Sequence, residues 1–125
     1  MVRRVTRGLA VAVDYGHLRQ NRPSLGSLRS YRAGREVDVV PDGSCDVTAH
    51  VAVDAVAARV GGVVRRQRDV LRELGVDGRP PSADLAASAP ETYLHRLSAA
   101  SQRAELTRAG GLGDFWWVVS RPAGA

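Results

Sequence analysis

Lysine is absent from this sequence, and cysteine, methionine and phenylalanine each occur once. A single cysteine excludes an internal disulfide and indicates a reducing compartment. Arginine fills all 18 of the Lys and Arg positions, and the formal net charge is +5. These arginines are scattered, and no basic run alternates with the aromatic side chains that single-strand binders use. The charge pattern therefore disfavours a dedicated nucleic-acid role.

Long hydrophobic runs are absent as well. The apolar run at residues 9–13 has five residues and is then interrupted by a carboxylate. Such a run is shorter than the apolar region of a signal peptide and far shorter than a membrane-spanning helix. We therefore expect no membrane contact and a cytoplasmic protein. The 125 residues suffice for one small domain, and no shift in composition divides residues 1–125.

The apolar run at residues 9–13 leads directly into a polar turn of Asp14, Tyr15, Gly16 and His17. Five apolar residues without polar alternation predict a strand buried on both faces, as in the centre of a parallel α/β sheet. Ligands of such sheets bind beyond the carboxyl ends of the strands. A carboxylate, a phenol and an imidazole at that place can position a substrate or accept a proton. The alternative is a plain strand-ending turn, in which Asp and Gly serve the backbone.

A second pattern, at residues 46–53, alternates between valine and polar positions and predicts another strand. Asp46, Thr48 and His50 share one face of that strand. At about 3.3 Å per residue, Asp46 and His50 lie roughly 13 Å apart, too far to form a catalytic dyad. An isolated imidazole of this kind is typical of a hydrogen-bonded structural histidine.

Helical spacing and aromatic content predict the remaining elements. These are helices at residues 55–60, at residues 63–74 and from residue 88 onward, and a final strand at residues 114–120. Asp54 is a candidate cap for the first helix, and Ser88 and Glu91 have the spacing of a capping box for the last. The sequence predicts an α/β fold with about three strands and three helices in one mixed sheet.

Two further features carry little chemistry. Cys45 and the histidines show no Cys-x-x-Cys or His-x-x-x-His spacing, so neither a metal site nor thiol catalysis is expected. The glycines at residues 110–113 lack the preceding strand and following helix that would direct amides at a phosphate. We expect this segment to be a flexible approach to the last strand.

Three blocks of sequence, at residues 8–17, 28–35 and 41–51, resemble the MidA-type S-adenosylmethionine-dependent methyltransferases. This family includes the mitochondrial complex I assembly factor that methylates arginine. The Asp-Tyr-Gly turn and the Gly-x-x-Asp-x-Thr-Ala-His-Val block that begins at Gly43 are specific in combination and order. Gln67 is similar to the glutamine of a family helix, although Arg66 stands where the family pattern has threonine.

The resemblance implies the C-terminal portion of a Rossmann-like class I methyltransferase sheet. Residues 9–13 would form its fifth strand, with residues 46–53 and 115–120 as a closing pair. The implied activity is methylation of protein arginine. It implies catalytic roles for Asp14 and Tyr15, and substrate binding by Gly16, His17, Asp46, Thr48, His50 and Gln67. Methyl transfer depends mainly on positioning, and an Asp carboxylate suits a guanidinium acceptor.

The resemblance also implies S-adenosylmethionine as cofactor, but the sequence has no Gly-x-Gly-x-x-Gly after a strand and no acidic residue placed for a ribose. We expect cofactor affinity to come from a separately encoded N-terminal half, so that this chain is incomplete and inactive by itself. Its partners would be that half and a protein substrate. The alternatives are a basic binding module and an inactive remnant that pairs with the other half.

Overall fold

The computed structural model describes residues 7–121 and is a mixed α/β structure. Contacts divide the described chain into two compact units: unit 1 comprises residues 7–64 and 118–121, and unit 2 is Arg65–Trp117. The described strands are β1 (Ala10–Asp14), β2 (Gly16–His17), β3 (Arg29–Arg32), β4 (Arg35–Val37), β5 (Asp46–Thr48), β6 (Val51–Ala52), β7 (Val63–Arg66) and β8 (Trp116–Ser120). The helices are α1 (Val53–Val60), α2 (Gln67–Glu73), α3 (Ala83–Ser88) and α4 (Pro90–Thr107).

The strands form three small sheets rather than the single mixed sheet that the pattern predicted. Their orders are β1-β8-β7, β2-β6 and β4-β3-β5. The last of these is antiparallel throughout, whereas β2 and β6 run parallel. The predicted closing pair of residues 46–53 and 115–120 is therefore wrong, because these segments lie in different sheets. The α/β class itself is confirmed.

Strand β1 is where the apolar run predicted it, but the run is not buried. In the described sheet, β1 stands at one end of the order, with β8 as its neighbour. Val11 is 47% exposed and Val13 is 44% exposed. A strand at the end of a sheet has a strand neighbour on one side only, so the prediction of a central strand buried on both faces is wrong here.

Strands β3 and β4 form a hairpin that the sequence indicated only as a short strand or turn. Arg32 pairs with Arg35, which leaves a loop of Ala33 and Gly34. Their φ angles are 51° and 75°, as a type I′ turn requires at both central positions. Glycine adopts such angles readily, and alanine rarely does. Because alanine stands at the first of the two turn positions, the Ala33-Gly34 sequence does not match the dipeptides that usually predict a hairpin.

The strand predicted at residues 46–53 is interrupted. Its first part, β5, pairs with β3, and its second part, β6, pairs with β2. Helix α1 then begins at Val53, which is only 2% exposed and belongs to the core of unit 1 with Ala57 and Val118. One alternating pattern thus serves two sheets, because the chain changes neighbours between Thr48 and Val51.

The helix predictions are confirmed in part. Residues 55–60 lie in α1, which ends at Gly61 with a left-handed φ of 61°. Of residues 63–74, the first four form β7 instead, Gln67–Glu73 form α2, and Leu74 follows that helix as its C-cap. Neither predicted side-chain cap forms: Asp54 lies within the first turn of α1, and the Ser88 hydroxyl donates to the Asp84 carbonyl at 2.8 Å.

In residues 7–121, no helix combines the length and apolar character that a bilayer crossing requires.

Candidate acceptor site at the end of β1

The turn after β1 is positioned by the parallel pair of β2 and β6. Gly16 lies opposite Val51 and His17 lies opposite Ala52. The Val51 backbone N–H also donates to the Tyr15 carbonyl at 3.2 Å. This register brings Thr48, at the end of β5, and His50, which lies between β5 and β6, beside the turn.

Four of the predicted site residues meet at this place. The Tyr15 hydroxyl and the Thr48 hydroxyl share a hydrogen bond. The Tyr15 and His50 rings meet edge to face with centroids 5.4 Å apart, and the His17 and His50 rings lie 6.5 Å apart. We name Tyr15, His17, Thr48 and His50 the Tyr15 cluster. It combines hydroxyl and imidazole groups that can bind and orient a polar ligand.

Gly16 has a packing role within this arrangement. A Cβ built on Gly16 would lie 2.3 Å from the Val51 carbonyl oxygen and 2.6 Å from Cγ2 of Val53. The absence of a side chain therefore allows β2 to approach β6 closely.

A polar network supports the cluster, and no sequence pattern singled out its arginines. The Arg22 Nε donates to His17 Nε2 at 3.1 Å, and a terminal nitrogen of Arg22 lies 3.8 Å from the Asp54 carboxylate. The same carboxylate accepts from the Arg19 backbone N–H at 2.7 Å. No spacing rule links these residues, because the contacts join the loop after β2 to the start of α1.

The contacts of this network lower the pKa of Asp54. The hydrogen bond from the Arg19 backbone is the main reason that the pKa of Asp54 is lowered, and a bond from Ala55 and the Arg22 charge act in the same direction. Each of these groups favours the charged form of the carboxylate. The network therefore holds a carboxylate, a guanidinium and an imidazole in a row beside the Tyr15 cluster.

The lowered pKa of Asp54 predicts an acid-sensitive contribution to stability. A carboxyl whose folded pKa lies below its unfolded pKa stabilises the fold above the unfolded pKa, and the contribution disappears as pH falls through the folded pKa. We expect Asp54→Asn to lower the free energy of unfolding near neutral pH and to flatten its acid dependence. Urea unfolding over a range from about pH 7 to about pH 3 measures both effects.

Asp38→Asn is the matched control for this experiment, because Asp38 is exposed and has no side-chain partner in the described structure. We expect its pH profile to follow that of the unmodified protein. Equal profiles for the two variants would contradict the role given to Asp54.

Besides Gly16, three predicted site residues lie outside the Tyr15 cluster. Asp14 precedes it directly, is exposed, and accepts the Tyr15 backbone N–H at 2.8 Å. Asp46 is exposed on β5, opposite Tyr31. Gln67 belongs to unit 2. The catalytic role of Asp14 and the substrate-binding roles of Asp46 and Gln67 remain predictions.

Gln67 is engaged inside unit 2. Gln67 is only 8% exposed. The amide nitrogen donates to the carbonyls of Leu106 and Leu112 at 3.2 and 2.9 Å, and the amide oxygen accepts from Trp117 Nε1 at 3.1 Å. These contacts give the glutamine a structural role, whatever its role toward a substrate.

Arginines 65, 66 and 68 are also engaged in unit 2. Arg65 pairs with Glu73, and Arg68 pairs with Asp114. The Arg66 guanidinium carbon lies 3.4 Å from the centroid of the Trp116 ring, and burial is the main cause of its lowered pKa. These contacts occupy the guanidinium groups, so the structure gives the alternative of a basic binding module no added support.

The glycine-rich segment does not fit a cofactor loop. A Cβ at Gly111 would lie 2.7 Å from an Arg108 guanidinium nitrogen, and one at Gly113 would lie 2.6 Å from the Arg108 carbonyl oxygen. Atoms of Arg108 therefore occupy the space directly beside these two glycines. This segment therefore does not offer an open cradle to S-adenosylmethionine.

Residues 7–121 also contain no group of three or more His, Cys, Asp or Glu side chains that could hold a metal ion. Cys45, which the sequence left as a lone thiol, donates to the Val40 carbonyl at 3.3 Å. Its surroundings therefore supply no ligand set.

Comparison with known proteins places the chain in a family of enzymes. The family model described as "Putative S-adenosyl-L-methionine-dependent methyltransferase" matches residues 1–72. The match covers more than half of the chain, and the chain belongs to this family. The matched range includes the whole Tyr15 cluster with Arg22 and Asp54. No curated protein sequence matches the chain.

Proposed function

We propose that this chain forms the acceptor-binding part of an S-adenosylmethionine-dependent methyltransferase, with the Tyr15 cluster as the acceptor site. The observation that carries the proposal is the family match over residues 1–72, which contains every residue of the cluster. The cofactor supplies the methyl group. The residues of this chain bind the acceptor and orient it, which is the main requirement of a transfer reaction of this kind.

Within this site, Asp14 and Tyr15 are the proposed catalytic residues. Asp14 is exposed at the end of β1, and only its Oδ1 atom accepts the Tyr15 N–H. The second carboxylate oxygen remains for an acceptor. A carboxylate pairs well with a guanidinium through parallel hydrogen bonds. This chemistry supports protein arginine as the acceptor, as the resemblance to the MidA-type enzymes implies.

His17, Thr48 and His50 are the proposed substrate-binding residues, together with Gly16, Asp46 and Gln67. Thr48 fixes the Tyr15 hydroxyl, and His50 packs against the Tyr15 ring. Gly16 contributes through the close approach of β2 to β6. Positioning by several weak contacts is sufficient for an acceptor whose geometry must be held rather than activated strongly.

We further propose that the cofactor site is completed by a Rossmann-like half encoded outside these 125 residues. Two facts support this arrangement: Arg108 occupies the space beside Gly111 and Gly113 in the glycine-rich segment, and β1 presents exposed valines at the end of its sheet. An apolar strand at a sheet end is ready for pairing with a further strand. The cofactor-binding half would extend the sheet along β1 and cover Val11 and Val13.

Calorimetric titration tests whether cofactor binding requires the second half. We expect the isolated chain to give no saturable heat with S-adenosylmethionine, because the sequence has no Gly-x-Gly-x-x-Gly after a strand and Arg108 occupies the space beside Gly111 and Gly113. The chain purified with its completing half is expected to bind the cofactor and to label an arginine-containing peptide from a methyl-labelled donor. The same peptide with lysine in place of arginine is the matched control and is expected to stay unlabelled.

Two results would contradict these proposals separately. Micromolar binding of the cofactor by the isolated chain would exclude the need for a second half. Equal labelling of the arginine and lysine peptides would exclude a guanidinium-specific acceptor site.

Asp14→Asn, which keeps the shape of the side chain and removes its charge, is expected to reduce labelling of the arginine peptide by about tenfold, consistent with the loss of one charged hydrogen-bonded pair.

A further inference from the structure

The environment of the His17 ring is asymmetric. Nε2 accepts a hydrogen bond from Arg22 Nε at 3.1 Å. Nδ1 is buried and has no hydrogen-bond partner in the described structure. The two nitrogens of a neutral imidazole differ, since one carries the hydrogen and the other accepts. The partner of one nitrogen therefore decides the state of the other.

Arginine leaves one possibility for the neutral ring. A guanidinium has only donors and keeps its charge in proteins, so Nε2 must be the accepting nitrogen. The hydrogen then resides on Nδ1. A protonated ring has donors at both nitrogens and cannot accept from Arg22 at all. Contact with Arg22 is thus specific for the neutral ring with the hydrogen on Nδ1.

Arg22 is itself held in place. Its terminal nitrogen faces the Asp54 carboxylate at 3.8 Å, and that carboxylate is fixed by the Arg19 backbone N–H at 2.7 Å. The other ring close to His17 is His50, whose centroid lies 6.5 Å away. Asp54 orients Arg22, and Arg22 in turn orients the His17 ring. Histidines that bind metals are oriented in the same way by hydrogen-bond partners behind them.

We propose that Arg22 is a positioning residue that holds His17 in its Nδ1–H tautomer, so that His17 serves the site as a hydrogen-bond donor. The role in acceptor binding rests on the proposed function, but the tautomer does not. A buried Nδ1–H without a partner is costly in a folded protein, and such groups often mark a functional position. The ligand group that completes it is a hydrogen-bond acceptor, a carbonyl or carboxylate oxygen of the acceptor substrate.

Nitrogen NMR of the imidazole rings tests the proposal directly on the 125-residue chain, without cofactor or acceptor. The sequence contains only His17, His50 and His95, so single His→Gln variants assign each ring. Spectra are recorded at the basic end of a pH titration, where the protonated and bare nitrogens of a neutral ring are well separated. We expect the His17 ring to carry its hydrogen on Nδ1.

Two variants of Arg22 then separate positioning from general stability. Arg22→Leu removes the donor, and the ratio of tautomers is expected to shift at least tenfold toward Nε2–H, the size expected from losing a hydrogen bond to a charged group. Arg22→Gln keeps an N–H donor without the charge and is expected to restore part of the Nδ1–H form. The control Arg35→Leu removes an exposed arginine of β4 and is expected to leave the ring unchanged.

An Nε2–H ring in the unmodified chain would overturn the proposal. So would an unchanged His17 tautomer in Arg22→Leu while the His50 and His95 signals show that the variant is folded. These outcomes are independent of the methyl-transfer experiment. Failure of peptide labelling would therefore count against the proposed function and not against the role of Arg22.

Discussion

Gly16→Ala is expected to destabilise unit 1 by about 3 kcal/mol or more, among the largest effects of any single substitution in this chain. The added Cβ would lie 2.3 Å from a backbone carbonyl oxygen of Val51 and 2.6 Å from Val53. A carbonyl in a paired strand cannot move away without breaking the pairing of β2 with β6. Urea unfolding, followed by far-UV circular dichroism, measures the loss.

The matched control is Gly26→Ala. Gly26 has a φ of 79° and open space around its Cβ position, so alanine there meets only a backbone cost of about 1 kcal/mol. The double variant Gly16→Ala/Val53→Ala provides a second check. It removes the clash with the valine methyl but keeps the clash with the Val51 carbonyl, and we expect no recovery of stability. A loss of less than 1 kcal/mol for Gly16→Ala would show that β2 and β6 are not in this close contact.

Gln67→Leu is expected to destabilise unit 2 by about 3 to 5 kcal/mol. Leucine has a similar size but leaves the Trp117 N–H and the carbonyls of Leu106 and Leu112 without their partner. Each buried polar group that loses its partner costs about 1–3 kcal/mol. The two adjacent tryptophans make intrinsic fluorescence a convenient probe of this unfolding transition.

Two further variants locate the effect in the hydrogen bonds. Gln102→Leu is the control, because Gln102 is exposed on α4, and its effect is expected to stay within about 0.5 kcal/mol. Gln67→Glu retains the acceptor for Trp117 but removes both N–H donors and places a carboxylate near two carbonyl oxygens. We expect it to be less stable at neutral pH than at acid pH, where the protonated carboxyl can donate to one of them. A Gln67→Leu variant as stable as the control would refute the structural role of the amide.

Sequence patterns predicted the local secondary structure better than they predicted which strands pair with one another. Strand β1, helix α1 and helix α4 followed from apolar runs and spacing, because these signals depend on residues close in the chain. The partners of the strands depend on distant residues, and no spacing rule encodes them. Residues 46–53 illustrate the limit. They form one alternating pattern in the sequence, but β5 pairs with β3 and β6 pairs with β2.

The site was predictable to the same degree. Tyr15, His17, Thr48 and His50 were singled out by their residue types and by the resemblance, and the structure brings them together. Arg22 was missed because a guanidinium in a long loop resembles any solvated charge. Asp54 was interpreted as a helix cap, although its carboxylate accepts from the Arg19 backbone. Their roles depend on one another, and only coordinates show such pairs.

The turn between β3 and β4 has a consequence for engineering this protein. Ala33 is the described non-glycine residue with a positive φ, 51°, and an L-residue with a Cβ is disfavoured there by about 1–2 kcal/mol relative to right-handed backbone. Natural sequences seldom sit at their stability optimum. Asparagine or glycine would relieve this strain, so unit 1 holds a reserve of stability that could offset a costly substitution elsewhere in the same unit.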